Sequence, residues 1–106
     1  MKLGIVIYSA DPEVVWNGIR LGVYALGDGD EVQVFLLASG VEAESLDTDQ
    51  FAVSGQMQAL VDAGGEVLAC GTCLKNRQSA GSELYTISTM ADLHRLIADS
   101  DRVISL

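Results

Sequence analysis

The sequence has few of the features that nucleic-acid and membrane binding require. Only six lysine and arginine residues stand against 15 aspartate and glutamate residues, which gives a net charge of −9. Binding to nucleic acid or to an anionic membrane surface needs a basic face, so this charge argues against both partners. No apolar run approaches the ~20 residues of a membrane span. The apolar run that follows Lys2 is too short for a signal peptide, and we expect a cytoplasmic protein.

Nitrogen and sulfur ligands for a metal are also scarce. The chain has two cysteines, Cys70 and Cys73, and one histidine, His94. A structural zinc site typically takes its ligands from two such cysteine pairs, so no metal site is predicted. The loops lack the glycine spacing that binds dinucleotides or phosphates, and no cofactor is expected. A structural disulfide does not suit a reducing cytosol, which leaves redox chemistry, sulfur chemistry or two inert core thiols.

The length and the hydrophobic pattern predict one α/β domain over residues 1–106. Runs rich in β-branched and apolar residues predict strands at Leu3–Tyr8, Val32–Leu37, Val67–Ala69, Leu84–Ile87 and Arg102–Leu106. Helices are predicted between them at Pro12–Leu26, Phe51–Val61, Leu74–Arg77 and Met90–Ile97. This alternation indicates a parallel sheet with helices on both faces. The acidic segment Glu42–Asp49 is predicted to be a surface excursion near the carboxyl edge, with Asp47 or Thr48 as a cap for the next helix.

The stretch with the most chemical information runs from Glu66 to Arg77 and contains both cysteines. Its apolar start predicts a buried strand and its end a helix, so the cysteines are expected in a tight turn at the carboxyl end of the strand. Open α/β sheets place their ligands there. The helix start has a partial positive charge of about half an electron. Together with the N–H groups after the first cysteine, at Gly71 and Thr72, it would lower that thiol's pKa below its ordinary value of about 8.5.

Further polar residues are expected near the two thiols. Lys75 and Arg77 lie within two helical turns, where they either stabilise a thiolate or persulfide anion or form a solvated helix end. Four residues follow the first two predicted strands, at the same edge of a parallel sheet: Ser9, Asp11, Ser39 and Gly40. They are candidates for the pocket lining, although Asp11 is better suited to cap the first helix. His94 is predicted to be a surface or interface histidine and not a catalytic base.

Three interpretations of the cysteine pair stay open from the residues alone. In the first, Cys70 is a thiolate that accepts a sulfane sulfur as a persulfide and passes it on, with Cys73 assisting. In the second, the pair cycles between dithiol and disulfide. A CxxC pair in an α/β pattern is typical of thioredoxin-like proteins, but here it comes late in the chain and before a short helix. In the third, both thiols are inert, because free cysteine is commonly buried.

With these residues in view, the whole chain resembles the DsrE/DsrF-like (DsrEFH) family of small sulfur-relay proteins. The specific part of the match is the segment Cys70–Leu74, and the compatible parts include Val34–Val41, Ala63–Ala69 and Thr86–Met90. The resemblance implies a Rossmann-like, three-layer α/β/α domain with about five strands in a mainly parallel sheet. It also implies self-association, often as a homotrimer or homohexamer.

The resemblance also implies a role for the first cysteine. In the sulfurtransferase members, a single cysteine after the third strand holds persulfide sulfur, and by position in the motif it falls on Cys70. The downstream basic residue of the family falls on Arg77. Cys73 is an addition found in a subset, which implies a dithiol step. The implied function is a cytoplasmic, sulfurtransferase-like persulfide carrier with a sulfur donor or acceptor protein as partner; a CxxC oxidoreductase and a non-catalytic assembly subunit remain as alternatives.

Overall fold

The chain alternates strands and helices, and a computed structural model describes all of its residues, 1–106. The strands are β1 (Lys2–Ile7), β2 (Glu31–Leu36), β3 (Glu66–Cys70), β4 (Thr86–Ser88) and β5 (Arg102–Ser105). The helices are α1 (Pro12–Gly27), α2 (Val53–Asp62), α3 (Gly71–Asn76) and α4 (Met90–Asp99), and a 3₁₀ helix (Ala38–Ser45) follows β2. None of the helices combines the length and the apolar character that a membrane crossing needs.

The predicted parallel sheet is confirmed. Its five strands lie in the order β4-β3-β2-β1-β5, and every neighbouring pair is parallel. In β1, β2 and β3 most residues are buried, as expected for strands that are covered on both faces. The register pairs Ile7 with Leu36, Leu36 with Ala69, and Cys70 with Ser88. The carboxyl ends of four strands therefore meet at one edge, and Cys70 lies on it.

Helices cover both faces of the sheet, which confirms the α/β/α layers. On one face α1 packs against α2, and a Cβ added at Gly22 would lie 2.8 Å from Leu60 Cδ1 and 3.4 Å from Ile5 Cδ1. On the other face α4 packs over β1, where a Cβ added at Gly4 would lie 2.6 Å from Leu96 Cδ2. Adjacent strand residues point to opposite faces, so these contacts lie on two sides of β1. Glycine at these two positions allows both helices to approach the sheet closely.

Two aromatic residues of α1 have different roles. Trp16 packs against Phe51, with ring centroids 5.6 Å apart and ring planes at 54°. The guanidinium carbon of Arg20 lies 5.1 Å from the centroid of the same tryptophan ring. Tyr24, two turns further along α1, is 74% exposed. Trp16 therefore extends the core toward the segment before α2, whereas Tyr24 contributes little to it.

Several predicted boundaries differ from the structure. Helix α3 begins at Gly71, directly after β3, so the tight turn predicted between them is absent. Strand β4 begins two residues later than predicted, at Thr86, and ends one residue later, at Ser88, so it is shorter. Helix α2 begins at Val53, but Asp47 caps it from a distance because its Oδ1 accepts the N–H of Ser54 at 2.8 Å. Hydrogen bonds from the hydroxyl and the N–H of Ser54 lower the pKa of Asp47.

The acidic segment after β2 is more regular than predicted. The 3₁₀ helix covers its first half, and Val41 and Ala43 are buried while the glutamates between and beside them are exposed. The helix begins close against β1, since a Cβ added at Gly40 would lie 2.0 Å from the carbonyl oxygen of Ile7. The glutamates therefore lie on the surface, as predicted for this segment, but residues 42–45 are helical. Alternation of apolar and acidic residues is typical of a strand, so this pattern does not indicate the helix that forms here.

Candidate functional site

Cys70 lies at the junction of β3 and α3. It is the last residue of the strand and also the N-cap of the helix. The strand ends there beside Ser88 of β4, and the chain turns into the helix at once. Gly71 favours this sharp change because a Cβ at that position would lie 3.2 Å from Ile87 Cγ2 and 3.4 Å from the Ser88 carbonyl oxygen. Only 6% of Cys70 is exposed, so the sulfur lies just beneath the surface of the sheet edge.

Cys73 is the third residue of α3, within the same first turn. It is half-buried, and both cysteines are free thiols. The N-cap and the third helical residue are the two positions that interact reciprocally in a capping box, so their side chains lie within reach of each other. The Cys73 sulfur also accepts the backbone N–H of Ala38 at 3.3 Å. This hydrogen bond connects the first residue of the 3₁₀ helix to α3.

The pKa values of the two thiols move in opposite directions. Burial raises the pKa of Cys70, but the nearby Cys73 thiol and the N–H groups of Cys73 and Thr72 outweigh this effect, so the net pKa lies below its ordinary value. These N–H groups lie near the sulfur without completing a capping hydrogen bond. Burial, together with the hydrogen bond to Cys70, raises the pKa of Cys73. Of the two thiols, Cys70 is therefore the one that loses its proton more readily.

The two basic residues of the cysteine segment have different surroundings. Arg77 Nε donates to Glu42 Oε2 at 2.9 Å, and its Nη1 donates to the Cys73 carbonyl oxygen at 3.2 Å. Its positive charge partly offsets the raised pKa of Cys73 but is not among the influences on Cys70. Lys75 is exposed in the last turn of α3. The structure thus brings the charge of Arg77 to the second cysteine and connects α3 to the 3₁₀ helix.

Ser9 and Asp11 lie at the same sheet edge as Cys70, where they build the start of α1. Asp11 Oδ1 accepts the N–H groups of Glu13 and Val14 at 2.9 and 3.2 Å. Ser9 Oγ accepts the N–H of Asp11 at 3.0 Å. These contacts satisfy free N–H groups at the helix start, as the sequence predicted for Asp11.

Ser39 and Gly40 approach the cysteines through their neighbour Ala38, which the sequence analysis missed. Ala38 has a φ of 51°, in the left-handed region that is costly for a residue with a Cβ. Ala38 lies two residues before Gly40, which packs closely on β1, and its N–H donates to the Cys73 sulfur. No sequence signal could reveal it, because the contact uses a backbone N–H and not a side chain.

Ser88 is a second residue that the sequence analysis missed. It is 4% exposed and pairs with Cys70 across β3 and β4. Its Oγ donates to the carbonyl oxygen of Thr86 at 2.9 Å, which satisfies the buried hydroxyl. A serine at the end of a predicted strand was the only available signal.

Four grooves lie on the surface, and none has a cysteine in its wall. One, of about 480 Å³, lies between the 3₁₀ helix and α3 and is lined by residues that include Glu42 and Arg77. Smaller and larger grooves, of about 220 and 560 Å³, include Ser88 and Asp11 in their walls. The fourth, of about 370 Å³, lies at the opposite edge of the sheet, where β1, β2 and β3 start. His94 is exposed on α4.

The fold and the site define a class of small α/β/α proteins with a cysteine at the carboxyl end of the third strand. The family model described as the DsrE/DsrF-like family matches residues 1–106. An uncharacterized protein of Methanocaldococcus jannaschii is 30% identical over 113 aligned positions, which cover 99% of each chain. Another, of Methanopyrus kandleri, is 31% identical over 98 positions that cover 87% of this chain and 81% of the relative. The chain therefore belongs to the DsrE/DsrF-like family.

Solved structures have the same fold at lower sequence identity. The ychN protein from E. coli superposes with a TM-score of 0.86 over 100% of both chains and is 18% identical. A protein of unknown function from Methanobacterium thermoautotrophicum has a TM-score of 0.78 and is 17% identical, with 99% of this chain and 98% of that one covered. These likenesses confirm the predicted family fold.

Proposed function

We propose that the chain holds sulfane sulfur as a persulfide on Cys70. The observation that supports this best is the placement of two thiols in one helical turn at the carboxyl edge of the sheet, with their pKa values shifted in opposite directions. A thiolate is the nucleophile that attacks a sulfane donor. The resemblance of the sequence to small sulfur-relay proteins supports the same chemistry.

The loading step conserves atoms and charge. The Cys70 thiolate attacks the outer sulfur of a donor persulfide, a new S–S bond forms, and the bond inside the donor breaks. The donor leaves as a thiolate, the outer sulfur now on Cys70 loses its proton to solvent, and a persulfide anion remains on Cys70. The product has the same charge as the thiolate, so the thiol of Cys73 and the nearby N–H groups of Thr72 and Cys73 stabilise both. Attack on the outer sulfur by an acceptor thiolate would reverse the step.

Intact mass after incubation with a sulfane donor tests this proposal. Cys73→Ala should gain the mass of one sulfur atom, because its Cys70 is intact. Cys70→Ala is the matched variant and should gain none. Absence of an adduct in folded Cys73→Ala would contradict the proposal.

The proposal includes self-association and a reducing, cytoplasmic location. Two free thiols suit that location. Met90 and Ile97 of α4 are 63% and 51% exposed, and large exposed apolar side chains that lie together favour burial against a second copy. Light scattering should report a trimer or a hexamer, and a monomer at micromolar concentration would contradict this part. A sulfur donor or acceptor protein is the proposed partner.

Thiol–disulfide exchange is a second candidate function. The placement of Cys70 at the N-cap and of Cys73 at the third position of the same helical turn favours it, because the attacking and resolving thiols of such proteins must lie close together. A redox titration should then show a reversible disulfide at a biological potential, and its absence would remove this candidate.

A non-catalytic assembly role is a third candidate, and the 6% exposure of Cys70 favours it. In that case the native protein should react slowly or not at all with a thiol reagent. Rapid modification of Cys70 in the folded protein would remove this candidate.

A further inference from the structure

We propose that Cys73 releases the sulfur held on Cys70 as hydrogen sulfide, so that the protein reduces sulfane sulfur in addition to holding it. This inference rests on the proposed persulfide on Cys70. The geometry points to it because the two cysteines occupy the N-cap and the third position of one helical turn. The second thiol is therefore the nucleophile nearest to the persulfide in sequence and across the turn.

The orientation of Cys73 suits an attack on Cys70. Its sulfur already accepts the N–H of Ala38 at 3.3 Å, which leaves its own S–H free to point toward Cys70. Ala38 makes this contact with a left-handed φ of 51°. Backbone conformations of this kind cost about 1–3 kcal/mol and concentrate at functional sites. The strained residue thus positions the second thiol.

Burial favours an internal nucleophile for attack on the inner sulfur. Only 6% of Cys70 is exposed, so a thiolate from outside has little access to its Sγ, whereas loading by a small polysulfide anion needs a much smaller opening. Cys73 is half-buried in the helical turn that follows Cys70, so it does not have to enter from solvent. Well-oriented groups in one molecule react with effective molarities of up to about 10⁵–10⁸ M, which no separate acceptor can match.

The release step balances in atoms and electrons. The Cys73 sulfur attacks Sγ of Cys70, the Cys70–Cys73 disulfide forms, and the bond between Cys70 Sγ and the outer sulfur breaks. The electron pair of that bond leaves with the outer sulfur, which takes the proton of the Cys73 thiol and departs as hydrosulfide. The sulfane sulfur is reduced, and the two cysteines are oxidised. A dithiol reductant is needed to restore the pair.

The disulfide of this step would close at the junction of β3 and α3. Cys70 is the N-cap, with a ψ of 116° outside the helical range, so the helical spacing does not fix its Cβ relative to that of Cys73. A disulfide needs a Cβ separation of about 3.5–4.5 Å. Any adjustment that brings the two Cβ atoms to this separation falls on the junction and on the first turn of α3. This turn is at the end of a six-residue helix, so the change disturbs few other contacts.

The experiment compares wild type with Cys73→Ala and Cys73→Ser after loading with inorganic polysulfide and rapid removal of the excess. Sulfide release and intact mass are followed without reductant. Wild type should release sulfide equal to the sulfur loaded and end with the mass of the disulfide, two hydrogen atoms below the dithiol. Both variants should keep the sulfur adduct over the same period. Circular dichroism checks that the variants are folded.

Two results would overturn the inference, and they separate it from the proposed function. If wild type keeps its adduct as long as Cys73→Ala, or both release sulfide equally fast, then Cys73 does not perform the release, although the persulfide on Cys70 stands. If the folded variants gain no adduct at all, the persulfide proposal fails and this inference fails with it.

Discussion

Gly40 contacts the backbone of β1 so closely that a single methyl group should displace the 3₁₀ helix. In Gly40→Ala the new Cβ would lie 2.0 Å from the Ile7 carbonyl oxygen, 2.8 Å from the Ile7 carbonyl carbon and 3.3 Å from Tyr8 Cα. All of these are backbone atoms, and the Ile7 oxygen also accepts the N–H of Leu37. No rotamer change can relieve the clash, so the 3₁₀ helix must move away from the sheet.

The cost of this substitution follows from that contact. Overpacking costs about 1–3 kcal/mol and occasionally more, and a rigid backbone neighbour places Gly40→Ala at the upper end. The loss of chain entropy in the unfolded state offsets at most about 1 kcal/mol. We therefore expect the free energy of unfolding to fall by about 2 kcal/mol or more. The movement should also break the hydrogen bond from Ala38 to Cys73.

Urea unfolding and thiol labelling measure the two effects together. The matched control is Gly55→Ala in α2, where the nearest atom to the new Cβ is Ala52 Cβ at 3.7 Å. This control should gain about 0.5–1 kcal/mol, because alanine replaces glycine inside a helix. Cys73 should react faster with a thiol reagent in Gly40→Ala than in the control. Wild-type stability in Gly40→Ala, or an unchanged Cys73 rate, would refute the reasoning.

Three further substitutions test the site and the core. Cys73→Ala removes a hydrogen-bond donor that lowers the pKa of Cys70, so the midpoint of Cys70 alkylation against pH should rise; an unchanged midpoint would mean that the contact has no electrostatic effect. Arg77→Gln breaks a half-exposed ion pair with Glu42 and should cost only about 0–1 kcal/mol, but it should raise the pKa of Cys73 further, as alkylation rates would show. Leu60→Ala should cost about 2–5 kcal/mol in urea unfolding because the side chain is fully buried, and a smaller loss would indicate that the core refills the space.

Local patterns in the sequence were enough to predict most of the elements. The apolar run in β1 and the helical spacing in α1 are properties of neighbouring residues, and so is the cap formed by Asp11. A capping interaction at the start of α4 is equally local, since Asp92 Oδ2 accepts the N–H of Thr89 at 2.8 Å. Each of these signals depends on residues within one or two turns of each other, which a sequence displays directly.

The candidate site was predictable only in part. The cysteine pair was visible because its spacing is local, and a parallel sheet places its strand at the carboxyl edge. The direct passage from strand to helix at Gly71 was not visible, because it depends on the space left by Ile87 of β4. The regular 3₁₀ helix was also missed, since its buried residues form too short a pattern to recognise.

The sequence by itself determined the order of strands and helices along the chain, the parallel sheet and the family resemblance. It also identified the two thiols as the candidate reactive groups. Only the tertiary structure decided which groups surround the two sulfurs and how burial moves their pKa values. It brings the N–H of Ala38 to Cys73 and the guanidinium of Arg77 to Glu42, each across 35 positions of the chain. Contacts of this kind depend on how separate elements pack against one sheet, so they cannot be predicted from periodicity along the chain.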